Sequence, residues 1–196
     1  MSEIIIHPVT GSAILPYRHA LAELRIAVFR EWPYLYEGSL DYEQNYLKHY
    51  ADCPESVVAL AMEGERVIGA STGLPMSAAD HDFQKAFAGS DFAIDDIYYF
   101  GESVLRSEYR GRGIGRSFFE ARETQARNCG ARYAAFCAVD RSADDPRRPA
   151  EYRPLDGFWN KLHYRKYPEI QAQFEWKEIG KDTPSQQTLS FWLKPL

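Results

Sequence analysis

The stretch Glu102-Ser103-Val104-Leu105-Arg106-Ser107-Glu108-Tyr109-Arg110-Gly111-Arg112-Gly113-Ile114-Gly115 joins two unlike hydrophobic patterns. Ahead of it, residues 97–105 form an apolar, aromatic run with strand character. Behind it, Ile114, Phe118 and Ala121 recur at helical spacing, which predicts a helix from about Gly113 to Cys129 with Gly130 as its stop. Between the two, glycines and arginines alternate. Glycine has no Cβ, so the backbone turns sharply there and comes close to a ligand. A helix starting at this turn leaves its first N–H groups unpaired, with the positive end of its dipole behind them. That is an anion site, and phosphate is its usual occupant.

Two common phosphate loops fail against this spacing. A dinucleotide fingerprint running through Gly111 and Gly113 needs glycine at 116, where Arg116 stands, and no Gly-Lys-Ser/Thr triplet follows for a Walker loop. The turn does match Arg/Gln-x-x-Gly-x-Gly/Ala, as Arg110-Gly111-Arg112-Gly113-Ile114-Gly115. A Glu-x-x-Leu strand and Glu-Tyr precede it, and an amphipathic helix and an apolar strand follow. In these features the chain resembles the GNAT superfamily of acyl-CoA-dependent N-acetyltransferases. The resemblance implies an α/β (α+β) fold over residues 1–196 as a single domain. Its mixed, mostly antiparallel central sheet would be flanked by helices, with the fourth and fifth strands (97–105 and 131–139) parallel and splayed around the CoA site.

The rest of the chain agrees with that order. Ile4-Ile5-Ile6 reads as a strand, and Leu21, Leu24 and Val28 mark a helix that Pro33 stops. A second helix is expected from Leu40 or Asp41 to about Tyr50. Residues 56–62 and 66–74 form a hairpin about Glu63-Gly64-Glu65, and 80–88 a short helical insertion. Residues 140–155, with Pro146, Pro149, Pro154 and four arginines, predict a long exposed loop of the kind that often carries function. A short helix follows at 156–164, then closing strands near 171–178 and 188–193.

Composition bounds the function. The chain has 196 residues, 45% hydrophobic and 14% aromatic, which excludes a disordered chain and suits one globular unit. A net charge of −5 argues against a nucleic-acid surface. Cys53, Cys129 and Cys137 are odd in number and lack metal or redox spacing, so reduced thiols and a cytoplasmic location are expected. No apolar run reaches membrane length, and the five histidines show no ligand spacing, so neither a membrane nor a metal is expected. A homodimer is compatible with all of this.

The chemistry that the resemblance implies is transfer of acetyl from acetyl-CoA to a primary amine. Arg110, Gly111, Arg112, Gly113, Ile114 and Gly115 would take the pyrophosphate. Leu105 and Ser107 would hold the pantetheine arm, and the Ser103 N–H would face the thioester carbonyl. Glu102, in the central strand beside that point, is the candidate base, directly or through a water; an ion pair with Arg106 or another arginine is the competing reading. The family's tyrosine acid falls on Trp159, which has no proton to give at neutral pH. Tyr164, Tyr152 or a water remains as the acid, and Tyr164 is the candidate. A CoA-binding sensor that has lost catalysis is the alternative function.

For the acceptor, Trp32, Tyr34, Tyr36 and Glu37 make an aromatic, acidic set suited to a cationic amine, or else close the core and cap the second helix. Arg141, Arg147, Arg148 and Arg153 would suit a carboxylate or phosphate on the same molecule. Together they point to a small-molecule amine.

Overall fold

The computed structural model describes residues 3–196. Thirteen regular elements follow one another: β1 (Ile4–Val9), α1 (Arg18–Phe29), α2 (Leu40–Asp52), β2 (Val57–Glu63), β3 (Arg66–Pro75), α3 (His81–Lys85), β4 (Ile97–Tyr99), β5 (Ser103–Leu105), α4 (Ile114–Asn128), β6 (Tyr133–Val139), α5 (Asp156–Lys161), β7 (Arg165–Trp176) and β8 (Ser185–Pro195). The sheet runs β1-β2-β3-β4-β6-β8-β7, with β5 paired to β3 beyond β4. Among the described residues only β4 and β6 are parallel; the other pairs are antiparallel.

Alternation along β2 shows which layer covers which face. Val58, Leu60 and Met62 pack with Leu21, Leu24, Leu47 and Tyr50 of α1 and α2, whereas Ala59 and Ala61 pack with Ile114 and Phe118 of α4. The α5 helix joins the α4 face, where Phe158 meets Phe119 and Trp159 packs on Phe136 and Trp192. Several strands differ from their sequence limits: β6 begins two residues after 131, and β8 begins three before 188 and ends two after 193. The β7 strand begins six residues before 171, because a register shift between Tyr167 and Gln171 lets it resume pairing after an irregular stretch.

The predicted strand 97–105 is broken in the middle, and this break positions everything functional. The Gly101 N–H donates to the Thr72 carbonyl and the Thr72 N–H donates to the Glu102 carbonyl. Two residues therefore oppose one, which is a bulge. Gly101 is required because a Cβ there would lie 2.1 Å from the Tyr50 hydroxyl and 2.7 Å from Thr72 Oγ1. Beyond the break β6 continues beside β8, its last tie to this strand being the Phe100 N–H on the Ala135 carbonyl at 2.7 Å. A cleft opens between β5 and β6.

Candidate active site

Three features meet at that cleft: a free strand edge, a loop of unbonded amides and a buried charge cluster. The edge follows from pairing parity. Thr72 N–H bonds Glu102 C=O and Arg106 N–H bonds Ile68 C=O, so residues 102, 104 and 106 face β3. Ser103 and Leu105 therefore turn their backbone groups toward the cleft. The Leu105 carbonyl is met there by Arg110, Nε at 3.2 Å and Nη2 at 3.1 Å.

The loop follows directly. Gly111 and Gly113 sit at φ +77° and +85°, where L side chains are strained, and a Cβ on either would point into open space. Gly113 caps α4 with no side chain on its end, and the first helical bonds close from Arg116 and Ser117 onto the Gly113 carbonyl. Among the described residues the N–H groups of 111–115 have no backbone acceptor. They form an anion cradle built of backbone. The arginines beside it are engaged elsewhere: Arg110 pairs with Glu31 at 2.7 Å, and Arg112 donates to the Glu108 carbonyl and lies over the Tyr109 ring. Ser107, in the turn after β5, lies 3.4 Å from Glu108 through its hydroxyl. This donor set fits a pyrophosphate followed by an amide-bearing arm, as in acetyl-CoA.

On the opposite face lies the charge cluster. Arg25 Nε meets Glu43 at 2.5 Å, its Nη1 meets Glu102 Oε1, and Tyr46 donates to Glu102 Oε2 at 2.9 Å. The three charged side chains are 8%, 0% and 6% exposed. Burial alone would lower the Arg25 pKa, but Glu102, Tyr46 and Glu43 outweigh it and raise the group well above its ordinary value. Burial and then Glu102 push the Tyr46 hydroxyl up. The ion pair set against the base role at Glu102 is thus present, with Arg25 as its partner, and both carboxylate oxygens have a partner. No periodicity reveals this, since Arg25 sits on the core face of α1 among Leu21, Ala22 and Leu24.

From the α4 face Arg122 reaches the same break. It is 2% exposed, donates to the carbonyls of Phe118, Glu102 and Thr72, and lies over the rings of Phe100 and Phe119. Burial lowers its pKa to about 10. Sequence reading missed it; the only signal was an arginine on the apolar stripe of an amphipathic helix.

Tyr164 is 1% exposed among Phe100, Phe119 and Phe136, and donates to Glu123 at 3.0 Å. Burial and Glu123 raise its pKa. The hydroxyl expected to serve as acid is thus engaged with Glu123 inside an aromatic cluster.

The acceptor set Trp32, Tyr34, Tyr36 and Glu37 is built into a wall. Arg141 donates to the carbonyls of Pro33 and Tyr34, Trp176 donates to Tyr34, and Arg141 lies over Trp32. Tyr36 pairs through its backbone with Glu178, and Glu37 is exposed and paired with Lys177 at 2.9 Å. Glu178, 4% exposed, gathers Arg141 at 2.5 Å and Arg147 at 2.8 Å, while Arg147 also holds Asp145. Two of the four loop arginines are therefore committed to protein carboxylates, and Arg148 donates to the Ala143 carbonyl and lies over Tyr152. Burial works to raise the Glu178 pKa, but the hydrogen bonds from Arg147 and Arg141 win and hold it below its ordinary value. A depressed carboxylate stabilises above its unfolded pKa of about 4.3 and stops doing so as pH falls through the lower folded value. Between pH 5 and 3 the 140–155 loop should become protease-sensitive before the sheet melts, and Glu178→Gln should already show that sensitivity at pH 7. Simultaneous loss of loop and sheet would contradict this.

Among the described residues no helix is long and apolar enough to cross a membrane. No curated protein matches the chain. Solved structures do. An acetyltransferase from Thermus thermophilus is 16% identical, covers all of both chains and superposes with a TM-score of 0.57. The Salmonella typhimurium protein yncA, solved with its cofactor acetyl-CoA, is 14% identical over 98% of this chain and 94% of its own, TM-score 0.59. A Drosophila melanogaster polyamine N-acetyltransferase that forms N-acetylagmatine is 10% identical over 99% and 100%, TM-score 0.61. At these identities the likeness is one of fold. The family model of the Acetyltransferase (GNAT) family matches residues 21–149, from α1 through the glycine turn and β6 into the arginine loop. The chain belongs to the GNAT family of acetyltransferases.

Proposed function

We propose that this protein transfers the acetyl group of acetyl-CoA to the primary amine of a small molecule. One observation carries the reading: a strand edge open at Ser103 and at the Leu105 N–H, with the Leu105 carbonyl held by Arg110, runs straight into five unbonded N–H groups at 111–115. Bound acetyl-CoA supplies an activated acyl group on a thiol that leaves. The amides of 111–115 hold its pyrophosphate, and the β5 edge holds its arm through backbone bonds. The Ser103 N–H is the donor for the carbonyl oxygen as that oxygen gains charge.

Glu102 acts through Tyr46 in this scheme. Tyr46 gives its hydroxyl proton to Glu102 and has lone pairs left for Tyr50, 2.9 Å away, or for an incoming N–H. An amine proton passes to the Tyr46 oxygen as the Tyr46 proton passes to Glu102, and Arg25 anchors the carboxylate throughout. The test is thiol release from acetyl-CoA across a panel of amines, with the N-acetyl product identified by mass. Tyr46→Phe should lower kcat by about 10²-fold while leaving acetyl-CoA affinity unchanged. Heat stabilisation by acetyl-CoA without thiol release for any amine would favour the sensor reading, which the occupied oxygens of Glu102 and the committed Tyr164 hydroxyl support.

A further inference from the structure

A cavity of about 200 Å³ opens on the α1/α2 face, between α2, the end of β3 and α3. Tyr46, Tyr50, Phe83 and Tyr99 are its rings, and Asp80 and His49 are its polar residues. Its inner end touches the reaction centre, because the hydroxyls of Tyr50 and Tyr46 lie 2.1 and 3.2 Å from where a Cβ on Gly101 would be. We infer that this cavity is the acceptor pocket, and that it takes a primary amine carrying one compact aromatic ring and no acidic group. The inference rests on the acetyl-transfer reading and adds the acceptor's class.

Three observations lead there. The polar ends of the lining tyrosines have partners: Tyr46 donates to Glu102 and shares a hydrogen bond with Tyr50, and Tyr99 meets Cys137 at 3.4 Å. What they present to the cavity is ring surface, and ring surface pairs with ring. Phe83 is held in place by Phe174 at 4.4 Å and Tyr99 at 4.6 Å, so the pocket is preformed. The volume suits one ring with a short tether, since an apolar cavity of about 150 Å³ holds benzene. As for charge, among the described residues no lysine or arginine lines the cavity, and Asp80 is the one carboxylate there. An ammonium is drawn in and an anion turned away. Three of the four arginines that would have read an acidic group, Arg141, Arg147 and Arg148, serve Glu178, Asp145 and backbone carbonyls instead.

The experiment has a catalytic and a binding arm. Thiol release from acetyl-CoA is compared for 2-phenylethylamine, spermidine and glutamate, and calorimetry measures 2-phenylethylamine binding to the protein loaded with CoA. His49→Trp, an exposed substitution on α2, plugs the cavity from its rim. The ring amine should have kcat/KM at least tenfold above the others, and His49→Trp should raise its KM tenfold or more with acetyl-CoA affinity unchanged. Preference for spermidine or glutamate, or an unaltered KM in the plugged variant, overturns the pocket while leaving acetyl transfer standing. Ring-amine binding that His49→Trp abolishes, with no thiol release for any amine, keeps the pocket and overturns acetyl transfer. Absence of both binding and turnover overturns both.

Discussion

Gly113→Asp is expected to abolish acetyl-CoA binding in a protein that still folds. Two effects act together. At φ +85° an L side chain costs about 1–2 kcal/mol of backbone strain, which shifts the loop and misaims its amides. The new carboxylate also stands at a helix N-terminus where an anion is to be held, and repels it. Losing two charge-assisted hydrogen bonds at about 2 kcal/mol each weakens binding roughly 10³-fold. Heat stabilisation by CoA reads this directly. Gly113→Ala separates the causes: it keeps the strain without the charge and should lose only about tenfold. Full stabilisation of the aspartate variant by CoA would remove the loop from the cofactor site.

Arg25→Met should cost the fold about 3–5 kcal/mol, because it leaves Glu43 and Glu102 buried with no counter-charge. For a chain of this length that is a fall in melting temperature on the order of 10 °C. The mechanism predicts its own rescue. Adding Glu43→Leu to Arg25→Met removes one stranded charge, so the double variant should be more stable than the single one. Such non-additivity marks groups that share one network. A loss below about 1 kcal/mol in the single variant would show that solvent reaches the cluster and screens it.

Most of the architecture was legible in the chain. Periodicity placed α1, α2, the β2–β3 hairpin and α4 within a residue or two, because each buries one stripe or one face. The anion loop was legible for a local reason, since positive φ and open space at Gly111 and Gly113 demand glycine. What escaped was contact between distant segments. Arg25, Glu43 and Glu102 are 18 and 59 residues apart in turn, and nothing in any one segment announces a charge inside the core. Gly101 was the one local hint of the broken strand, an isolated glycine within an apolar run. The loop arginines misled in the opposite direction: counted along the chain they look free for a ligand, yet Arg141 and Arg147 are spent on Glu178.

Glu102 occupies an unusual place in this architecture. A β-sheet ordinarily works as an insulating partition, each residue sending its side chain to one layer while its peptide serves the neighbouring strands. Here the side chain goes to Arg25 and Tyr46 in one layer, and the carbonyl of the same residue takes Arg122 from the other. A single residue is therefore held by cations on both sides of the wall, and the nearby Glu102 charge works to raise the Arg122 pKa against the larger lowering by burial. The two layers that flank the sheet therefore meet at one residue. Arg25 and Arg122 thus depend on the same residue from opposite layers, and substitutions at the two should be non-additive in stability.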